Sequence, residues 1–211
     1  MKKAGILKRY LLFFVSIVLI GIGVAFAKYS ELGISPATAV ANVISIRFTF
    51  LTFGSWTIIS NLFFVLVQII ILRRNFKPFQ FLQIPLAFLI GGFTDLGLMA
   101  VSVFECNTYF QRLIILLIGN FILALGISSG VKANVLLNSP EGFVKAVSDT
   151  FKKEFSIVKV IYDICWVAIA VALSLAFFGR LEGVREGTVI SAFLVGFFVK
   201  LINRVSAKPK H

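Results

Sequence analysis

The chain has 211 residues, 59% of them hydrophobic and 24 of them Phe, with a mean hydropathy of +0.99. A soluble domain of this size is nearer half apolar, so water is excluded as the main solvent. The formal net charge of +12 does not point to nucleic acid, because the basic residues flank apolar runs instead of forming a face or a tail.

The first apolar run, Tyr10–Ala27, follows a basic stretch and ends in AFA, the outline of a cleaved leader. It is longer than the usual apolar core of a leader, about 7–15 residues, and nearly long enough to cross a bilayer, so an uncleaved helix is expected. After it, SPATAVANVISIRF (Ser35–Phe48) has a Ser-Pro start, with no charge before Arg47. Serine suits an N-cap and proline the first helical position. This segment fits either a surface helix or one that dips inward.

The second span is expected at Ser55–Leu72, carrying Asn61 and Gln68. The third, Phe79–Phe104, holds Asp95, and the fourth is Leu113–Val131. A second Ser-Pro start opens SPEGFVKAVSDTFKKEF (Ser139–Phe155), where Phe143, Val147, Phe151 and Phe155 recur every four residues. It reads as an amphipathic helix on the membrane surface. The fifth span is Ser156–Phe178, with Lys159 and Asp163, and the sixth is Arg185–Val205, with Lys200. Lengths near 20 residues match the hydrocarbon thickness. The expected fold is therefore an all-α polytopic membrane protein. It has six transmembrane helices and two short amphipathic or re-entrant ones, in a single transmembrane domain over residues 1–211.

With the N-terminus inside, only Lys28, Arg47, Arg112, Arg180 and Arg185 of the 21 basic residues fall outside. Both termini are then cytoplasmic, and the lipid bilayer, with anionic lipid at its cytoplasmic face, is the expected partner.

The sequence also repeats itself. RYLLFFVSIVLIGIG (Arg9–Gly23) matches RLIILLIGNFILALG (Arg112–Gly126). ISNLFFVLVQII from Ile59 matches IYDICWVAIAVA from Ile161, and GGFTD (Gly91–Asp95) matches GFFVK (Gly196–Lys200). Three spans per copy place the halves, 9–104 and 112–205, upside-down to one another as an inverted repeat.

Enzyme chemistry is not expected. The one histidine is His211, Cys106 and Cys165 lack ligand spacing, and no Gly-rich nucleotide loop is present; no cofactor or metal follows. Intramembrane polar residues are the default site candidates: Asn61, Gln68, Asp95, Asp163 and Lys200. Depth along the spans groups Asn61 with Asp95, Arg47 serving as counter-ion, and Asp163 with Lys200. These clusters are candidate gates of a substrate path, and the helix N-termini at Ser35 and Ser139 are candidate anion sites.

GISPATAVANVIS, LTFGSWTIISNLFFVLVQ, GGFTDLG and REGTVISAFLVGFFVKL together resemble the YczE/YyaS/YitT family of bacterial integral membrane proteins, from Leu12 to about Ile202. The resemblance implies a bacterial plasma-membrane protein of the short branch, without the C-terminal soluble domain of longer relatives. It supplies no catalytic residues. Two functions are expected from it and the polar residues: a transporter or permease for a small-molecule substrate, or a non-transporting scaffold for another membrane or biosynthetic system. A homodimer is compatible with either.

Overall fold

A computed structural model describes residues 2–206; Lys208 and Lys210, used in the charge count, and His211, the one histidine, lie outside them. The described residues form eight α-helices and no strand. These are α1 (Lys2–Tyr29), α2 (Ala39–Arg47), α3 (Phe53–Leu72), α4 (Gln83–Val101), α5 (Tyr109–Ala133), α6 (Ser139–Phe151), α7 (Phe155–Phe178) and α8 (Glu186–Ser206). Six of them, α1, α3, α4, α5, α7 and α8, are long and apolar enough to cross a membrane. They coincide with the six apolar runs of the sequence.

Boundaries move by a few residues, for local reasons. The third span opens as a 3-10 turn, Pro78–Leu82, before α4 begins, and α4 ends at Val101 instead of Phe104. At the start of α5, Thr108 and Gln111 form a capping box. Thr108 Oγ1 accepts from the Gln111 amide at 3.3 Å, and Gln111 Oε1 accepts from the Thr108 amide at 3.1 Å. Gly179, at φ +67°, ends α7 in the left-handed conformation that glycine adopts without strain.

The centre of the bundle is the antiparallel pair α1 and α5, brought close by glycine. A Cβ on Gly23 would lie 2.5 Å from the Leu123 amide nitrogen, and one on Gly126 would lie 2.8 Å from that of Ile20. Such contacts let helix backbones approach where no hydrophobic force drives them together in lipid. The ends of the pair are tied as well. Arg9 donates to the carbonyls of Ala133 and Asn134, and Arg112 pairs with Glu31. Around this pair, α4 packs on α1 and α8 packs on α5. Helix α2 packs on α7 and α3, and α6 packs on α3 and α7.

The two short helices are sunk into the bundle. In α2, Ala39 through Val43 are all buried. In α6 the buried positions are Ser139, Pro140, Gly142, Val144, Ala146 and Ser148. The expected surface stripe of α6 is corrected on this point. Phe143 and Val147 pack inward against the cluster of Phe64, Val144, Val158 and Tyr162; Phe151 is exposed, and Phe155 belongs to α7. Cys106 and Cys165 are free thiols.

Candidate functional site

Two cavities lie at opposite ends of the α1/α5 pair. The larger, about 570 Å³, sits where α1 ends, between α2, α4 and the α7–α8 loop. That volume lies within the range of small-molecule sites. Its wall carries Lys28, Glu31, Asn42, Arg180, Glu182 and Arg185 among apolar residues that include Ile46, Leu98 and Leu181.

Most charges in this wall are already matched. Arg180 Nε pairs with Glu182 at 2.8 Å, which holds the guanidinium above its ordinary pKa through that hydrogen bond and the carboxylate's charge. Glu31 is taken by Arg112, and Arg185 leans on its neighbour Glu186 at 3.2 Å. Lys28 differs. Its ammonium donates to Asn42 Oδ1 at 2.5 Å and lies 5.3 Å from the centre of the Phe53 ring, with no carboxylate partner among the described residues. Asn42 is itself fixed, because its Nδ2 donates to the Gly183 carbonyl at 2.6 Å. The loop behind it is tied to α7 by Ser174, which donates to the carbonyls of Arg180 and Glu182 and accepts from the Glu182 amide.

The smaller cavity, about 210 Å³, sits where α5 ends, between α1 and the start of α6. It is mostly apolar, and Glu141 is the acid in its wall. Burial raises the Glu141 carboxyl above the usual range; Lys159 and its own backbone hydrogen bond pull it down, and Asp163 pushes it up. Four side-chain atoms are buried without a hydrogen-bond partner among the described residues: Asn120 Oδ1, Ser128 Oγ, Tyr162 OH and Trp166 Nε1.

Asp95 does not meet Asn61. Its carboxylate closes the N-terminus of α3, accepting from the Gly54 amide at 2.8 Å and from Thr52 Oγ1 at 2.6 Å. The free amides and the helix dipole there favour a negative charge, so the acid that looked isolated in the sequence is held by backbone. Asn61 lies buried two turns further along α3, and Arg47 sits 5.6 Å from the Phe48 ring without an ion pair among the described residues. The expected Asn61–Asp95–Arg47 cluster is therefore absent.

Asp163 does not meet Lys200 either. It pairs with Lys159, one turn before it on α7, at 2.7 Å, while Lys200 is exposed on α8. Helices α7 and α8 share no extended contact among the described residues, which removes the expected pair.

Gln68 is the candidate with the fullest set of partners. Its Nε2 donates to Gln83 Oε1 at 3.0 Å and to the Ser139 carbonyl at 3.1 Å, and Gln83 returns a bond to Gln68 Oε1 at 3.1 Å. This joint locks α3, α4 and α6 together. Ser139 is the first residue of α6 and Asn138 its N-cap, so Ser139 contributes a carbonyl and not a capping hydroxyl. Ser35 precedes a 3-10 turn; its hydroxyl sits 3.1 Å from Thr38 Oγ1 and caps no amide. Neither serine lines either of the two cavities described above.

Lys28, Asn42, Gln83 and Glu141 were missed. The signal for Lys28 was its place just after an apolar run, where it reads as a flanking charge. For Gln83 it was a polar residue at the head of the third span.

A family model described as a family of unknown function, DUF6198, matches residues 7–204, and the chain belongs to that family. No curated protein and no solved structure matches the chain.

Proposed function

We propose that this DUF6198 protein is a small-molecule transporter of the bacterial plasma membrane, built as a 3+3 inverted repeat with both termini in the cytoplasm. The reading assigns it no catalytic residue, and it keeps the kinship with the YczE/YyaS/YitT family. Two-fold exchange of the halves, 9–104 for 112–205, is supported by the contacts of the central pair. Gly23 on Leu123 and Gly126 on Ile20 are the same contact with the copies exchanged, and so are Arg9 at residue 134 and Arg112 at residue 31. The packing of α2 on α7 and of α6 on α3 follows the same exchange.

The observation that carries transport is where this exchange fails. Helices α3 and α4 are closed on each other: a Cβ on Gly54 would strike the Gly91 carbonyl and lie 2.5 Å from the Asp95 carboxyl carbon. In the sequence repeat their counterparts are Ser156, Gly196 and Lys200. A Cβ on Gly196 would meet nothing within 4 Å, and Ser156 and Lys200 are exposed. One half is shut where the other is open, the asymmetry that alternating access needs. In the opposite state α8 closes on α7 while α4 leaves α3.

The test is a cross-link. In a variant with Cys106 and Cys165 replaced by alanine, Ser156→Cys and Gly196→Cys should join through a short bis-maleimide in native membranes. Uptake of a transported solute into liposomes should then stop. A folded, labelled protein that never cross-links would reject alternation and leave the scaffold reading.

A further inference from the structure

We infer that the larger cavity is a binding site for a small organic carboxylate, whose charged end rests on Lys28. This names the substrate class for the transport reading and rests on it only for the direction from which the acid enters.

The argument begins with hydrogen-bond capacity. An ammonium carries three donors. Lys28 has one acceptor in hand, Asn42 Oδ1 at 2.5 Å. Asn42 cannot turn to offer anything else, because Nδ2 is committed to Gly183. A half-buried cation with unfilled donors is costly unless an anion joins it.

The protein does not supply that anion. Glu31 is the acid whose field reaches Lys28, and its carboxylate is held by Arg112 from the start of α5. Glu182 is held by Arg180. Both acids of the cavity wall are thus neutralised, and Arg185 is matched by Glu186, while Lys28 remains to attract negative charge. Ile46, Leu98 and Leu181 complete the wall. A bare inorganic anion would leave that surface uncovered, whereas an acid with a short branched hydrocarbon tail fills both parts.

The site is also preformed. Ser174 fixes the loop that carries Glu182 and Gly183, and Gly183 sits at φ +77° with its Cα side packed on Ile46 and Asn42. Little has to be ordered when the ligand arrives, which favours binding.

Thermal unfolding of the purified protein in neutral detergent tests this, at constant ionic strength. The probes are isovalerate, its neutral analogue isovaleramide, its cationic analogue isopentylamine, and inorganic phosphate. Isovalerate should raise the unfolding midpoint saturably, and the amide and the amine should not. Lys28→Gln should weaken the isovalerate effect about tenfold or more, the loss expected for one charge-assisted hydrogen bond. Lys28→Arg should largely retain it. Should Lys28→Gln not fold, Leu181→Asp, at an exposed position of the mouth, should weaken binding by repulsion. Equal stabilisation by acid and amide would overturn the inference, as would stabilisation by phosphate alone. So would stabilisation by phosphatidylglycerol that isovalerate does not compete away, the mark of a lipid headgroup site. Acid-selective stabilisation without uptake into liposomes would keep the site and reject transport; uptake of another solute without it would do the reverse.

Discussion

Arg9 donates from Nη2 to the carbonyl oxygen of Asn134 at 2.6 Å, joining the first helix to the end of the fifth. Its Nε adds a bond to the Ala133 carbonyl at 2.9 Å. The last carbonyls of a helix lack intrahelical donors and carry its negative pole, so a guanidinium satisfies both needs. Arg9→Gln should lower stability by about 1 kcal/mol, read as a lower unfolding midpoint in a fixed detergent. An unchanged midpoint would mean that the contact contributes nothing.

The carboxylate of Asp95 gives a second prediction. Asp95→Asn keeps one acceptor, for the Gly54 amide, and loses the charge at the α3 N-terminus together with the acceptor for Thr52 Oγ1, at a cost of about 1 kcal/mol. Asp95→Leu loses the acceptor for the Gly54 amide as well and should cost about 2–3 kcal/mol, the scale for bonds to a charged group. Equal effects of the two variants would contradict a capping role.

The amide pair Gln68 and Gln83 predicts non-additivity. Gln68→Leu leaves the Gln83 amide without its partner, removes one bond to the Ser139 carbonyl, and should cost about 1–3 kcal/mol. Adding Gln83→Leu should cost less than the two single changes together, because the second removes an orphan that the first created. A strictly additive double mutant would show that the amides do not act as a pair.

Glu141 predicts a pH dependence. Its carboxyl is raised in the folded chain by burial, so the folded state holds the proton to higher pH than the unfolded state. Stability is greatest below the unfolded value and falls as pH rises from there through the folded value. Lys159, which faces it, limits the fall, and Asp163 deepens it. Glu141→Gln should flatten this part of the profile and stabilise the protein at neutral pH. A steeper fall in the variant would reverse the sign of the argument.

In the open half, Glu154 and Lys200 should meet when α8 closes. They are the repeat counterparts of Thr52 and Asp95, which are bonded at 2.6 Å in the closed half, and both are exposed here. Glu154→Lys and Lys200→Glu should each lower uptake, and the double swap should restore a substantial part. A double swap no better than the worse single change would refute the pair.

The six spans were legible because hydropathy and length decide them locally. The depth of α2 was not, since Ala39 and Ala41 suit a lipid surface and a packed interior equally. Asp95 was legible as a residue needing a partner, but that partner includes a backbone amide, Gly54, which no search among charged side chains finds. The Lys159–Asp163 pair was visible in its four-residue spacing; the attraction of a symmetric Asp163–Lys200 pair hid it. Lys28 was counted for topology alone, and its second role depends on a loop more than 150 residues away in the chain, at Gly183.

Each half of the chain lends its short helix to the other: α2 lies on α7, and α6 lies on α3. In either half alone those cross-contacts are lost, and only the packing of α2 on α3 or of α6 on α7 remains. Synthesis of residues 1–107 alone would leave α2 and α3 with unmatched faces, a target for membrane quality control. Produced together with residues 108–211, it would meet its complement and persist. The two halves are in this sense interlocked, and the place to divide the gene is the short turn ahead of Thr108.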